Sequence, residues 1–129
     1  MNEKSRKSMN PREEIKLELL ESPKRKVYID GIPYICEGQA FIQHECAGGF
    51  EMNEVLFTRG YIQKMPDKLK AYFWDVRNCV INCTLFHQKY GHSRDYRDFV
   101  LRRHKALFGG SLIEEFFRNA PFKKQPVGI

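Results

Sequence analysis

The sequence NCVINCTLFHQKYGH, residues 78–92, decides how this chain is interpreted. It begins with the polar residue Asn78 and continues as a short apolar run that is typical of a buried β-strand. His87 and His92 follow soon after this run, and they are two of only four histidines in the protein. Because imidazole is both a common metal ligand and a common general base, this spacing indicates a functional site.

The composition is that of one small globular domain. The chain has 129 residues, of which 42% are hydrophobic and 13% aromatic, enough to form a real core. Its net charge of +6 is unevenly distributed: residues 27–92 carry six Lys/Arg against seven Asp/Glu, residues 1–26 eight against five, and residues 93–129 eight against four. This pattern fits a central divalent cation with flanks that contact phosphates, and it also fits a chance partition.

The sequence carries no signal for a membrane or for export. It contains no run of the roughly 20 apolar residues that a membrane span needs, and its N-terminus lacks the apolar segment of a signal peptide. We therefore expect a cytoplasmic protein. Its four cysteines are then expected to be reduced thiols or metal ligands rather than disulfides.

Residues 1–26 are predicted to form a basic N-terminal arm that is partly disordered. Within it, Asn10 and Pro11 are suited to begin a helix, which Pro23 would end. Such an arm is either simply solvated or adds non-specific contacts to phosphates.

Residues 27–120 are predicted to form the folded domain, and residues 121–129 an irregular tail. Turn residues, apolar periodicity and capping residues define its elements. The expected elements are a hairpin that turns at Asp30-Gly31, a strand over residues 51–57, an amphipathic helix over residues 96–107 and a last helix capped by Ser111.

The opening stretch resembles the second half of an HNH endonuclease motif. Asn78 would be its central asparagine, His87 its metal-binding histidine and His92 its last histidine. Residues 89–97 are similar to the ending of phage-type members, and residues 51–60 resemble the first half of the motif.

This resemblance covers about residues 36–100 and implies a small α+β fold. The fold would contain a ββα-metal (HNH-like) centre, an N-terminal β-hairpin and C-terminal helices. The implied activity is hydrolysis of DNA phosphodiester bonds with a divalent metal, Mg or Mn rather than Zn at the active site. The implied partner is double-stranded DNA, and the implied location is the cytoplasm of a bacterial host if a phage encodes the protein.

The implied metal ligands are His87, His92 and Glu54. Glu54, Asn78 and His87 are the candidate catalytic residues, with Glu54 as ligand or base and Asn78 as orienting residue. The sequence departs from the family at Asn53, where a histidine or aspartate is expected and where an amide cannot act as a base. Two hypotheses follow: an endonuclease, favoured by the retained Asn78-to-His87 spacing, and a catalytically degenerate scaffold that binds DNA or a protein.

The structural zinc site of many family members is incomplete here. Phe86 and Gln43 stand at two positions where the pattern has cysteine. One interpretation is a mixed zinc site from the ligands that remain: His44, Cys46 and Cys83, with or without Cys36 as a fourth. The other interpretation is that the cysteines are buried thiols and that Phe86 fills the space of a metal. The two missing cysteines favour the second interpretation.

Basic side chains around the implied active site are the candidate DNA contacts, since guanidinium groups bind phosphates well. A solvated helix face would have the same composition. The candidates are Arg59, Arg97, Arg102, Arg103 and Lys105.

Overall fold

The computed structural model describes residues 10–120, which form a small α+β fold of two antiparallel two-stranded sheets and surrounding helices. Residues 1–9 and the predicted tail, residues 121–129, lie outside the described part. The elements in chain order are α1 (Pro11–Glu21), β1 (Val27–Ile29), β2 (Ile32–Tyr34), β3 (Phe50–Glu54), α2 (Arg59–Ile62), α3 (Asp67–Lys70), β4 (Cys79–Cys83), α4 (Thr84–Tyr90), α5 (Arg94–Phe108) and α6 (Leu112–Asn119). Short 3-10 turns cover Pro23–Arg25, Glu37–Ala40 and Val76–Asn78.

Strand β4 is the centre of the fold. All five of its residues are buried, and it pairs with β3 in a register that places Met52 opposite Ile81. The chain passes directly from β4 into α4, because the Cys83 Sγ accepts a hydrogen bond from the Phe86 N–H and caps the helix. The order of β3, β4 and α4 is therefore strand, strand, helix.

Each face of the β3–β4 pair packs against different helices, because side chains alternate between the faces of a strand. On one face, Ile15 and Leu19 of α1 pack against Met52 and Ile81. On the other face, Val80 belongs to the larger core, which α4, α5 and α6 cover.

Residues 10–26 are part of the domain rather than an arm beside it. Asn10 caps α1 by accepting the Glu13 N–H at 2.9 Å, and Pro11 occupies the first turn. The apolar side of α1 is buried against the β-strands, and Arg25 is only 3% exposed. Residues 10–26 therefore do not form the solvated arm that was expected over residues 1–26.

The hairpin of β1 and β2 follows from Asp30-Gly31, as the sequence predicts. Both residues have positive φ, 53° and 78°. Such a backbone matches the twist of two antiparallel strands joined by a two-residue loop. The strands pair with Ile29 opposite Ile32.

Side chains close the free edge of β4. The Glu37 carboxylate accepts the Ile81 N–H at 2.7 Å, the Arg25 Nε at 2.9 Å and an Arg103 Nη1 at 2.6 Å. Arg25 also donates to the Cys79 carbonyl. A carboxylate that is 1% exposed is tolerated here because all its partners are charged or polar groups with good hydrogen-bond distances.

Helices α5 and α6 are the two C-terminal helices that the sequence predicts: α5 begins two residues before the expected start, and α6 begins after Ser111 as expected. Ser93 and Ser111 cap them, accepting the N–H groups of Tyr96 at 3.1 Å and Glu114 at 3.3 Å. Gly109, at φ 70°, ends α5 in the left-handed conformation that glycine favours. None of the helices within residues 10–120 combines the length and the apolar character that crossing a bilayer requires.

His104 of α5 is a buried histidine that the sequence did not single out. It is 3% exposed, and its Nδ1 donates to the Arg77 carbonyl at 2.7 Å. Its Nε2 has no hydrogen-bond partner among the described residues. Burial, reinforced by the positive charge of Arg25, lowers the pKa of His104 to about 4.

We predict that His104 makes the protein less stable as the pH falls from about 6.5 to about 4. In this window the histidine of the unfolded chain binds a proton and the buried one does not, so protonation lowers the free energy of the unfolded state relative to the folded state. The full effect is about 3 kcal/mol. Urea unfolding at pH 7 and at pH 4.5 would measure it.

The His104→Asn variant provides the comparison, because its amide can still donate to the Arg77 carbonyl but does not titrate. It should lose less stability between these pH values than the unmodified protein. All other titrating groups are the same in the two proteins, so the difference between them isolates His104. Equal losses in the two proteins would contradict the prediction.

Candidate metal centre and adjacent cleft

Four potential metal ligands converge between the turn at residues 37–40, the loop that follows it and the start of α4. We call them the Cys3His cluster: Cys36, His44, Cys46 and Cys83. Their three Sγ atoms and the His44 Nε2 all lie within 4.8 Å of one another. The His44 Nε2 is 3.5, 3.7 and 3.6 Å from the sulfurs of Cys36, Cys46 and Cys83.

These separations fit a closed tetrahedral site. With Zn–S bonds of about 2.3 Å and Zn–N bonds of about 2.05 Å, the sulfur-to-nitrogen edge of a tetrahedron is about 3.6 Å. The observed distances of 3.5–3.7 Å match this edge. The Cys3His cluster could therefore bind a metal ion, and its nitrogen and sulfur ligands are of the type that zinc prefers.

The His44 ring is held with the correct nitrogen towards the sulfurs. Its Nδ1 lies 2.7 Å from the Ile42 carbonyl, which can only accept a hydrogen bond. The proton is therefore on Nδ1, and the Nε2 lone pair faces the three sulfurs. Metal-binding histidines are commonly fixed by such a second hydrogen bond.

Every sulfur of the cluster also accepts an N–H group. Cys36 accepts the Cys83 N–H at 3.2 Å, and Cys83 accepts the Phe86 N–H at 3.3 Å. Cys46 accepts the side-chain Nε2 of Gln39 at 3.4 Å. Because N–H donors stabilise the charged form of an acceptor, these bonds favour thiolates.

The thiols differ in acidity. Burial acts to raise the pKa of Cys83, but the backbone N–H groups of Phe86 and Ala47 help to lower it to about 7. Burial raises the pKa of Cys36 to about 12, and repulsion from Cys46 and Cys83 acts in the same direction. A divalent cation would remove this conflict, because it neutralises thiolates that otherwise repel one another.

The structure thus assembles the mixed set of ligands, with Cys36 as its fourth member. Of the interpretation that the sequence favoured, the structure contains the buried thiols Cys36 and Cys83, but it does not place Phe86 between the four ligands. Phe86 lies beside the cluster and stacks on His44, with ring centroids 4.9 Å apart. Cys46 is half-buried in the wall of a cleft of about 610 Å³.

Another, more polar cleft of about 860 Å³ lies between the end of β3 and the start of α5. Its charged and titratable side chains are Glu54, His92, Arg94, Arg97 and Asp98. Arg97 also donates to the carbonyl of residue 56 at 3.3 Å, which ties α5 to the loop after β3. Arginines and carboxylates in one cleft are suited to contacting a phosphate and a cation together.

The predicted metal ligands Glu54, His87 and His92 are close to this cleft but do not converge. The rings of His87 and His92 have centroids 5.0 Å apart. Within residues 10–120, the Cys3His cluster is the group that brings three or more potential ligand atoms together. Glu54 instead accepts a hydrogen bond from Arg12 of α1, with Nε and Oε1 3.2 Å apart.

Two polar atoms near the predicted active site are buried without a hydrogen-bond partner among the described residues. They are the Asn53 Oδ1 and the His87 Nδ1. A Cβ atom at Gly91 would lie 2.2 Å from the His87 Nδ1, so the backbone covers this nitrogen closely. Only the other ring nitrogen of His87 is therefore available to a ligand.

Asn78 holds a loop instead of facing the cleft. Its Nδ2 donates to the carbonyls of Phe57 at 3.0 Å and Phe73 at 3.1 Å, and its Oδ1 accepts the Phe57 N–H at 2.6 Å. Since both N–H donors and the oxygen bind backbone groups, Asn78 fixes the loop between β3 and β4. Any orienting effect on Glu54 would act through this loop.

Three of the predicted DNA contacts remain available on α5. Arg97 lines the polar cleft, and Arg102 and Lys105 are exposed. At 100° per residue, Arg102 and Lys105 lie within about 80° of Arg94 around the helix. We call Arg94, Arg102 and Lys105 the basic stripe.

The other two predicted contacts are differently placed. Arg103 lies about 180° from Arg94 around the helix. Its side chain is 15% exposed and bound to Glu37, so it is not free to bind a phosphate. Arg59 is exposed on α2, with its guanidinium 5.6 Å from the centre of the Phe73 ring, and it does not line the polar cleft.

Two residues of the sites were not predicted from the sequence: Arg12, which touches Glu54, and Gln39, which touches the Cys3His cluster. Arg12 is 42 residues from Glu54, and no local pattern predicts such a contact. Gln39 precedes His44 by five residues, a spacing with no established meaning in a loop. Arg94 could have been found, since it shares a helix face with Arg102.

No protein-family model matches the chain, and no curated protein or solved structure is significantly similar to it. The resemblance to the HNH family therefore rests on the residues of this sequence alone.

Proposed function

We propose that the Cys3His cluster holds a structural zinc ion in an HNH-like domain that binds DNA. The observation that supports this most directly is the separation of 3.5–3.7 Å between the His44 Nε2 and the three sulfurs. Thiolate and imidazole ligands favour zinc over magnesium or manganese. Because four protein ligands leave no open position, the ion would stabilise the fold and would not take part in chemistry.

The purified protein is expected to contain one zinc ion per chain. Cys46→Ser should bind zinc about 100-fold more weakly, because one of four ligands to an ion worth about 10–16 kcal/mol is lost. Elemental analysis and competition with a chromophoric chelator would measure both quantities.

Cys79→Ala is the matched control, because Cys79 is a buried thiol that packs against α1, outside the cluster. It should keep its zinc. The zinc site is wrong if the unmodified protein contains no zinc, or if Cys46→Ser binds it as tightly as Cys79→Ala does.

The proposed DNA interface is the basic stripe together with the polar cleft at its N-terminal end. Eleven residues separate Arg94 from Lys105, a rise of about 16 Å along the helix. This face carries three cations and one carboxylate, Asp98, so it has a net positive charge and its cations can contact several phosphates of a DNA backbone. Lys105 is 60% exposed and lies 3.6 Å from Glu114, a pairing weak enough for a phosphate to replace.

Binding to a labelled DNA duplex should weaken steeply with salt, because each phosphate contact releases counterions. Arg102→Ala should reduce the slope of log K against log salt by about one. Fluorescence anisotropy at several salt concentrations would measure it. Arg118→Ala, which removes an exposed arginine of α6, should leave the slope unchanged. If the affinity for the duplex does not depend on salt, the basic stripe is not the DNA interface.

Endonuclease activity is a second candidate function, and the polar cleft is the observation that favours it. Glu54, His92 and Asp98 could approach a divalent cation there while Arg97 holds a phosphate. Two features weigh against it. Asn53 cannot act as a base, and Glu54 would have to exchange Arg12 for the cation. DNA binding without cleavage is therefore the better supported proposal.

A plasmid-nicking assay with Mg²⁺ or Mn²⁺ separates the two candidates. If the cleft cuts DNA, His92→Ala should lower the nicking rate at least tenfold, because His92 is exposed and its loss removes a ligand without disturbing the core. Arg118→Ala should nick at the unmodified rate. The endonuclease candidate fails if the unmodified protein binds the plasmid and leaves it supercoiled with either ion.

A further inference from the structure

We infer that Gln39 is a positioning residue of the Cys3His cluster, one that holds His44 in place and donates a hydrogen bond to the Cys46 thiolate. This inference rests on the proposed metal site and adds to it a residue outside the four ligands.

The side-chain amide of Gln39 pairs with the backbone of His44 from both sides. Its Nε2 donates to the His44 carbonyl at 2.6 Å, and its Oε1 accepts the His44 N–H at 3.0 Å. Gln39 is 5% exposed, so these bonds are shielded from water. Residues 41–49 contain no helix or strand, and this amide therefore supplies the pairing that regular structure supplies elsewhere.

The same Nε2 also lies 3.4 Å from the Cys46 sulfur. The sulfurs of Cys36 and Cys83 accept backbone N–H groups, whereas Cys46 accepts one from a side chain. Three thiolates and a neutral imidazole bring three negative charges to a divalent cation, so a net negative charge remains. Hydrogen bonds to sulfur spread this charge, and such outer contacts typically contribute 10–100-fold to metal affinity.

The turn that carries Gln39 is held firmly against the cluster. Gly38 donates its N–H to the Asn82 Oδ1 at 2.9 Å, and a Cβ atom at Gly38 would lie 2.6 Å from the Phe86 ring. Glu37, which lies two residues before Gln39, accepts a hydrogen bond from the Ile81 N–H of β4. The core therefore fixes the backbone position from which the Gln39 side chain reaches the loop.

Titration with Co²⁺ tests the inference, because cobalt occupies such sites and its thiolate bonds absorb light. Gln39→Leu should bind Co²⁺ 10–100-fold more weakly than the unmodified protein. The sulfur-to-cobalt charge-transfer band should also move to longer wavelength, because the Cys46 thiolate loses its donor and becomes more electron-rich. A role in packing alone would weaken binding and leave the band in place.

Two further variants complete the experiment. Gln39→Glu keeps the size of the side chain but removes both donated bonds and adds a negative charge, so it should weaken binding at least as much as Gln39→Leu. Gln43→Leu changes an exposed glutamine in the same loop and should match the unmodified protein in affinity and spectrum.

The outcomes separate the inference from the proposal on which it rests. If the unmodified protein does not bind Co²⁺ with charge-transfer absorption, the metal site itself is wrong. If that protein binds and both Gln39 variants match it, Gln39 is not a positioning residue. If the charge-transfer band is unshifted in both variants, the inference that Gln39 donates a hydrogen bond to the Cys46 sulfur is wrong. If both variants fail to fold at saturating Co²⁺, the role of Gln39 lies in core packing and the inference is overturned.

Discussion

The buried Glu37 carboxylate is the group on which the rest of this fold depends. Among residues 10–120, β4 has one strand beside it, β3, and its other edge would leave backbone groups unpaired in the protein interior. Glu37 accepts one of them, the Ile81 N–H, and its negative charge brings in Arg25 and Arg103 from elsewhere in the chain. Because Glu37 directly follows Cys36, this bond also sets the Cys36 sulfur against β4. The ionic network of Glu37 and the Cys3His cluster are therefore connected through two consecutive residues, Cys36 and Glu37.

The parts of the fold that the sequence predicted are those that neighbouring residues determine. Asn10 and Ser111 cap their helices through bonds that span three residues, and Asp30-Gly31 turns its hairpin through its own backbone angles. The burial of α1 was not predicted, because the contact that decides it joins residues about 40 positions apart. The burial of Arg103 was not predicted either, because its partner Glu37 is 66 positions away in the sequence.

The candidate site was predicted less completely, for a related reason. Spacing rules for zinc sites describe pairs of cysteines separated by two to four residues. The pair in this chain that fits the rule, Cys79 and Cys83, is not the pair that the fold uses, because Cys79 packs against α1 and only Cys83 belongs to the cluster. Its ligands converge only because the fold brings Cys83 to the loop of His44 and Cys46. The spacing of His87 and His92 is the basis of the proposed likeness to the HNH motif, but spacing could not reveal that Glu54 is bound to Arg12.

The distribution of the ligands along the chain has a consequence for how the protein assembles. Cys36, His44 and Cys46 lie close together in sequence, whereas Cys83 lies beyond β3 and the two short helices α2 and α3. An ion bound by the first three residues could bind early in folding. When Cys83 then joins as the fourth ligand, it would close a long loop that contains β3 and β4. Such a closure restricts the unfolded chain as a covalent link does, and its benefit grows only slowly with loop length. Unlike a disulfide, such a link would open when the ion is scarce, so with the proposed zinc site the stability of the domain would depend on the zinc concentration in its surroundings.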